Sequence, residues 1–536
     1  MFCSSLCTAV SAIPITWPVA LFLVWLIAKL LLRGDNRRES IPPGPRPWPV
    51  IGNLNLIGQI PHQSLHKLSE THGPLMQLKF GSSNVVVTNS PDMAKEFLKT
   101  HDSTFASRPR LAAGKYTLYN FSDVTWASYG PHWRQGRKVF LTHLFSSKRL
   151  DSYEYIRVEE IRDFLARLYE SRGQRVRIKD YLFRTNLSIM TRVVLGKKYY
   201  SSDLDLEHPK EKSAANESTV SPEELQEMLE ELVLLNGVFV IGDWIPWLAR
   251  LDLEGYVRRM KNLSKKLDKF LNTIIQEHKM DRTRHEKDEE KDMTNVLLDL
   301  IDDPDDLEVK WSNDNIKGFT LNLLAGGTDT AATTVEWAIA ELMKNPEKIN
   351  KANEELDRII GQERWVEEKD IPDLPYLDAI MKETMRLHPP ATLLAPHLAL
   401  EDCQVKQYHI SKDTLVLINV WSMGRDPTIW DSPEEFRPER FLNKAIDIKG
   451  QNFELLPFGS GRRMCPGYSL GLKMIQSSLA NLLHGFIWSL PKELKLEDLN
   501  MDEIYGLTTP RKHPLVNVLE PRLPAHLYKH NNPCPP

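Results

Sequence analysis

The chain has 536 residues, 41% of them hydrophobic and 26% charged, with 68 Lys+Arg against 72 Asp+Glu. That is an ordinary globular composition, long enough to bury a large core and a cofactor, and a net charge of −4 without a basic run interleaved with aromatics gives no nucleic-acid surface. The five cysteines (Cys3, Cys7, Cys403, Cys465, Cys534) are odd and sparse, and neither a CxxC pair nor a His/Cys cluster at zinc spacing occurs, which excludes a disulfide framework and leaves any metal to be held mostly by a cofactor.

No charged side chain precedes Lys29, and Ile13–Leu32 is almost wholly apolar. Twenty helical residues span about 30 Å, one hydrocarbon core. Pro14 and Pro18 fall in or near the first turn, where proline is tolerated. Lys29, Arg33, Arg37 and Arg38 lie on the C-terminal side. Cations after the run rather than before it argue against a cleaved signal peptide, and the positive-inside rule sets the body in the cytosol. Residues 1–33 therefore read as a membrane anchor. Residues 34–53, with PPGPRPWPVIGN from Pro42 to Asn53, read as a basic, proline-rich hinge in a stiff extended conformation. Residues 54–523 read as the main body, and 524–536 as a disordered tail.

Within the body, Leu75–Asn89 holds two strand-like runs around Gly81-Ser82-Ser83-Asn84, a hairpin signal. Helical periodicity then dominates: Pro91–Thr100, with Ser90 as N-cap, Ile156–Ser171, Pro222–Val238, Glu254–His278, Asn313–Lys344 and Pro375–Leu387. Leu415–Val420 is a further strand, and the polar stretches Ser201–Ser221 and Asp281–Asp292 are surface loops. The pattern predicts one large, mainly α body with a small β part.

The chemistry concentrates in FGSGRRMCPG, Phe458 to Gly467. Gly459, Gly461 and Gly467 permit unusual backbone and close approach to a flat ligand. A helix is predicted from Tyr468 to His484. A cysteine at its N-terminus has a lowered thiol pKa, which predicts Cys465 as a thiolate. Arg463 is placed to pair with an acidic cofactor group, and Phe458 to cover the sulfur. A shielded thiolate, a cation and tight glycines suit haem with a sulfur ligand. The run is similar to the haem-binding signature Phe-x-x-Gly-x-Arg-x-Cys-x-Gly of the cytochrome P-450 family, at Phe458, Gly461, Arg463, Cys465 and Gly467.

Other segments resemble the same family. Glu383-Thr-Met-Arg386 looks like its Glu-x-x-Arg helix, in which i and i+3 share a face. FRPERF, Phe436 to Phe441, supplies Arg440, which the resemblance adds to that pair. Trp133-Arg-Gln-Gly-Arg137 is similar to the helix that holds haem propionates through an indole N–H and a guanidinium, with Gly136 an unusual residue inside it. Ala325–Thr334, AGGTDTAATT, resembles the oxygen-activating helix, with Ala331 where the family has Ser or Thr. Paired Gly326 and Gly327 predict a widened turn with room for dioxygen, and Asp329 and Thr330 a short proton relay.

The resemblance, which spans the chain and is nearest to membrane-bound plant enzymes of specialised metabolism, implies a triangular helical fold. In it haem b lies between the Cys465 loop and the Gly326–Thr330 helix. It implies an NADPH–cytochrome reductase as partner, with NADPH as electron source, and O2 as co-substrate. One oxygen atom enters a lipophilic terpenoid or phenolic substrate at the endoplasmic reticulum membrane. Arg134, Lys138 and Lys473 are expected near the reductase face. His397 is expected near a propionate, and the pocket is expected to be lined from Tyr116–Val124, Leu232–Ile241 and Ala391–Pro396, with Phe239, Ala325, Leu393 and Leu394 against the substrate. Two other readings stand: a haem-thiolate enzyme of oxidative rearrangement, ring closure or C–C cleavage, and a non-enzymatic membrane-anchored haem protein.

Overall fold

The computed structural model describes residues 40–199, 220–282, 291–302, 307–442 and 444–529. The predicted anchor, Ile13–Leu32, lies outside the described residues, as do most of both polar stretches; among the described residues no helix is long and apolar enough to cross a membrane.

Five helices carry the site: α1 (Pro131–Val139), α2 (Ile178–Leu195), α3 (Asn313–Lys344), α4 (Pro375–Leu387) and α5 (Tyr468–Gly485). The bounds of α3 and α4 fall where the sequence puts them, because each start is chemically marked. Ser312 and Asn315 form a capping box ahead of α3, and Pro375 opens α4. At about 48 Å, α3 is the axis of the body; it is buried on nearly every face, with α2, α4 and α5 packed on it.

The β part is small. Strands β1 (Leu75–Phe80) and β2 (Ser83–Thr88) form the expected hairpin, β4 (Leu415–Ile418) pairs parallel to β2, and β3 (His397–Leu398) pairs antiparallel to β4. The turn is tighter than the sequence reading: only Gly81 and Ser82 connect the strands. Gly81 has φ +54°, and a Cβ there would run into the Trp244 carbonyl. Arg175–Arg177, Val516–Pro521 and Phe486–Ser489 make a second sheet.

Several expectations change. Ser90 makes no side-chain cap, and Pro91–Thr100 is α only to Lys95, then closes in a π turn over Glu96–Thr100. The proline-rich segment is not extended throughout: it turns back at Pro49–Ile51, where Trp48 and Gly52 exchange N–H···O bonds (2.9 and 3.0 Å), and it is docked, with the Gln77 N–H donating to the Pro43 carbonyl (2.8 Å), the Asn53 N–H to Lys79 (2.6 Å), and Asn53 Oδ1 accepting from the Lys79 N–H (2.8 Å). It therefore covers the free edge of β1. The tail expected to be disordered from Pro524 is ordered to Lys529. Tyr528 is buried, stacks on Tyr169 at 4.6 Å and donates its hydroxyl hydrogen to the Gly485 carbonyl.

Behind the site, Glu383 and Arg386 form a fully buried pair rather than a surface one, with Arg386 Nε and Nη2 at 2.7 and 2.8 Å from the carboxylate. Arg440 Nε donates to the same carboxylate at 2.9 Å, and the Arg437 N–H at 2.7 Å. The leftover guanidinium hydrogens reach the carbonyls of Gly424, Asp431, Ser432, Pro433 and Glu435. One carboxylate thus ties α4 to the loop that leads toward Cys465, with every charge hydrogen-bonded. Glu383→Gln strands two buried cations; the expected loss is about 3–5 kcal/mol, measured as the shift in urea midpoint.

Candidate active site

A cavity of about 320 Å³ opens between α3 and the Cys465 loop. Its walls fall into three kinds. Cys465, with Phe458, Gly459 and Gly467, forms one side; Asn322, Leu323, Gly326, Gly327 and Thr330 of α3 form another; Arg108, Trp133, Arg137, His397 and Arg463 lie around it. The rest is apolar, with Val124, Phe140, Met190 and Leu394.

The cysteine loop is shaped by backbone demands. Gly459 and Gly461 have φ +69° and +67°, the left-handed region that favours glycine. Gly467 has an ordinary φ of −92°, and its need is space, since a Cβ would lie 3.3 Å from the Phe145 ring. The Cys465 N–H donates to the Phe458 carbonyl at 2.9 Å. The lowered thiol pKa expected at the helix N-terminus is corrected. Burial pushes the Cys465 thiol up; the Gly467 N–H and Arg137 pull the other way without prevailing. A bound metal ion removes that proton outright.

The cations are the unusual feature. Arg463 donates to the carbonyls of Ala106 (2.6 Å), Val124 (3.1 Å) and Ala127 (2.6 Å) and stacks over Trp133 at 4.2 Å. Arg108 donates to Thr125 (3.2 Å), Ala395 (2.8 Å) and Pro396 (2.8 Å). Burial lowers Arg463 to about 8, with repulsion from Arg108 and Arg137 added, and burial lowers Arg108 to about 10. The acid that acts on both is buried Asp123, which burial itself pushes up to about 6 although it accepts the N–H groups of Thr125 and Trp126. His397 faces the Phe105 carbonyl through Nδ1 (2.9 Å), which must be its protonated nitrogen, and burial with Arg108 holds the ring far below the ordinary histidine value. Three guanidiniums around an apolar cavity fit a flat ligand with acidic substituents. A sulfur on one wall fits an iron ligand. The residues present therefore fit haem. Trp133 lines the cavity, but its indole N–H goes to the Val124 carbonyl (3.1 Å) instead of toward a ligand.

On α3 the two glycines serve different purposes, and the widened turn predicted there is absent: the helix is continuous. A Cβ at Gly326 meets nothing within 4 Å, whereas at Gly327 it would overlap Met190 of α2, 2.6 Å from Cε. Gly327 lets α2 and α3 touch. Gly136 of α1 acts alike, with a Cβ 3.2 Å from Val124 and 3.4 Å from Phe319. The Thr330 hydroxyl donates to the Gly326 carbonyl (2.8 Å) at the cavity wall.

Asp329 is not beside it in the cavity. Its carboxylate turns to the other side of α3, where the Thr508 hydroxyl donates to it at 2.6 Å and Lys179 lies at 3.3 Å. Burial opposes the charge on Lys179, yet Asp329 and Glu336 hold it above the ordinary lysine value. These groups line a separate pocket of about 200 Å³ with Glu230 and Tyr505.

Of the expected substrate contacts, Leu394 lines the cavity. Leu393 is 5% exposed inside the core under the sheet, Phe239 stacks on Trp244 at 4.8 Å in the same cluster, and Ala325 packs toward the main core. From Leu232–Ile241 no side chain reaches this cavity; Val233, Leu234, Val240 and Ile241 line the smaller pockets.

The Cytochrome P450 family model matches residues 42–518. The chain belongs to the cytochrome P450 family. It is similar to trimethyltridecatetraene synthase of Zea mays, at 42% identity over 94% of this chain and 92% of that one. It is similar also to flavonoid 3′-monooxygenase of Petunia hybrida, at 43% identity over 94% and 97%. A solved zebra fish cytochrome P450 with abiraterone superposes with TM-score 0.71 at 26% identity, covering 87% of this chain and all of that one. The chain is thus a plant-type P450 monooxygenase of specialised metabolism with haem iron as cofactor.

Sequence reasoning missed Arg108, since FASRPR carries no spacing that marks a ligand, and Lys179 and Thr508, which are far in sequence from Asp329. Of the three expected reductase-facing cations, Lys473 is taken up by Glu368 (2.7 Å) and Asp151 (3.6 Å), and Arg134 faces Glu308 at 3.8 Å; Lys138 is exposed. Two outcomes follow for this P450. Arg108→Leu costs about 2 kcal/mol of charge-assisted binding, roughly a 30-fold weaker hold on haem, read as faster haem transfer to apomyoglobin. Gly327→Ala costs about 1–3 kcal/mol by overpacking, and adding Met190→Ala recovers part of it, measured by thermal unfolding of the pair and of each single variant.

Proposed function

We propose that this P450 is a membrane-bound haem-thiolate monooxygenase that inserts one oxygen atom from O2 into a lipophilic terpenoid or flavonoid-type metabolite. Its electrons come from NADPH through a partner reductase. The observation that carries it is the cavity: a half-buried cysteine on one side, a hydroxyl-bearing helix wall on another and three guanidiniums around it. Bound haem supplies the activation of O2 and the oxidation of the substrate C–H bond.

The residues of this chain do the rest. Cys465 Sγ would hold the iron, with the loop fixed by Gly459, Gly461 and the Phe458 carbonyl. Arg108, Arg137 and Arg463 would hold the acidic groups of haem, with His397 beside them at the cavity wall. Thr330 Oγ1 sits where a proton must enter the cavity, held by the Gly326 carbonyl. Asp329 is held on the far side of α3 by Thr508 and Lys179, so these two set how readily its carboxylate turns toward the cavity. The apolar wall of Val124, Met190 and Leu394 supports a lipophilic substrate held by shape. The apolar run Ile13–Leu32, followed by cations, supports an anchor in the endoplasmic reticulum with the body in the cytosol.

A second reading, oxidative rearrangement, ring closure or C–C cleavage, is supported by the likeness to two Zea mays synthases, trimethyltridecatetraene synthase and dimethylnonatriene synthase, at 42% and 40% identity, whose names are those of hydrocarbons without oxygen. Microsomes holding the full chain and a plant reductase, given NADPH, ¹⁸O2 and a panel of terpenoids and flavonoids, decide between them. Hydroxylation puts one ¹⁸O into each product, cleavage gives a product without label, and no NADPH-dependent turnover on the panel contradicts both. Thr330→Val in that assay is expected to keep NADPH consumption while product per NADPH falls.

A further inference from the structure

We infer that Asp123 is the positioning residue of the haem cations: its carboxylate holds the turn whose carbonyls fix Arg108, Arg463 and Trp133, and it adds one negative charge beside them. This rests on the reading that these guanidiniums hold the acidic groups of haem, and it gives a part to the one acid among them. Asp123 is fully buried. Its Oδ2 accepts the N–H groups of Thr125 (2.9 Å) and Trp126 (3.1 Å) and so closes the chain into a turn. The carbonyls of that turn serve the site. Val124 accepts from Arg463 (3.1 Å) and from the Trp133 indole (3.1 Å), Thr125 from Arg108 (3.2 Å), and Ala127 from Arg463 (2.6 Å). One short turn thus holds a cation from the chain before it, a cation from the Cys465 loop and the indole of α1.

The turn is seated on α3 by one face of that helix. Asn315 Nδ2 donates to the Ser122 carbonyl (3.2 Å), and Asn322 Oδ1 accepts the N–H groups of Val124 (2.9 Å) and Thr125 (3.3 Å). Between them, a Cβ at Gly318 would come within 3.3 Å of Asp123. Positions 315, 318 and 322 follow the spacing that keeps residues on one helix face. The approach to the turn is strained: Tyr119, Asn120 and Phe121 have φ of 49°, 53° and 66°, three left-handed residues in succession. The backbone is therefore bent against its own preference to bring this turn to the cavity.

The turn alone does not require an acid, since asparagine would accept the same N–H groups. The charge does. A buried carboxylate is costly unless it serves the charges around it. Asp123 steadies the charge on both Arg108 and Arg463 through space, while burial raises Asp123 itself to about 6 against the pull of its N–H donors. One carboxylate against the guanidiniums of Arg108, Arg137 and Arg463 leaves an excess that the pair of propionates on haem b matches, so the set is neutral once they are bound.

The test compares Asp123→Asn, which keeps an acceptor oxygen and removes the charge, with Asp123→Ala, which removes both, in the full haem-loaded chain. Haem transfer to apomyoglobin and the reduction potential of the iron are read at about pH 8, where the acid is ionised. Both variants are expected to shift the potential upward, because losing a nearby negative charge favours the ferrous state. Asp123→Ala is expected to release haem about tenfold faster than the wild type, and Asp123→Asn to release it more slowly than Asp123→Ala. If the alanine variant does not fold, the potential of the asparagine variant decides. An asparagine variant with the wild-type potential, or one that loses haem as fast as the alanine variant, overturns the inference. Arg108→Leu measured beside them separates the two levels. Faster release there with no change in either Asp123 variant overturns this inference alone; no change in Arg108→Leu overturns the reading beneath it as well.

Discussion

Positive charge buried without a matching carboxylate is the constraint on which the site depends. Arg108, Arg137 and Arg463 line an apolar cavity; Arg108 and Arg463 are satisfied by backbone carbonyls, which accept their hydrogens but do not neutralise them. Burial lowers all three, and Arg463 falls to about 8. An arrangement of this kind is costly by itself and becomes favourable when an anion enters. Elsewhere the protein compensates its buried charge: Glu383 answers Arg386 and Arg440, and Glu368 answers Arg157 and Lys473. The contrast marks the cavity as a site completed by its ligand.

The helix beside that ligand is two-sided. One face of α3 presents Gly326 and Thr330 to the cavity; the other holds Asp329 against Lys179 and Thr508 in a separate pocket. Thr508 comes from the C-terminal segment and Lys179 from the start of α2, so the acid's position depends on two elements that also frame the body. The acid and the main cavity are thereby kept apart across one helix, with about one peptide unit between Asp329 and Thr330.

Much of this was legible in the residues. The Cys465 loop, the Glu383–Arg386–Arg440 set and the bounds of α3 and α4 are written in short-range chemistry: glycines where φ is positive, prolines at first turns, a capping box. What the sequence could not show is where side chains turn once far parts of the chain meet. Trp133 gives its N–H to Val124, Asp329 turns to a threonine 179 positions later, and Phe239 and Leu393 go into the core under the sheet, since apolar runs look alike whether they line a cavity or fill a core. The thiol expectation failed for a related reason: a helix N-terminus is visible in sequence, but the burial that outweighs it is not.

The central claim is that Cys465 sulfur binds haem iron inside this cavity. Carbon monoxide added to the dithionite-reduced full chain tests it most directly. The account predicts the strongly red-shifted Soret band of thiolate-ligated haem, absent in Cys465→Ser made alongside. A reduced protein without bound haem, or the same red-shifted band in the serine variant, contradicts it.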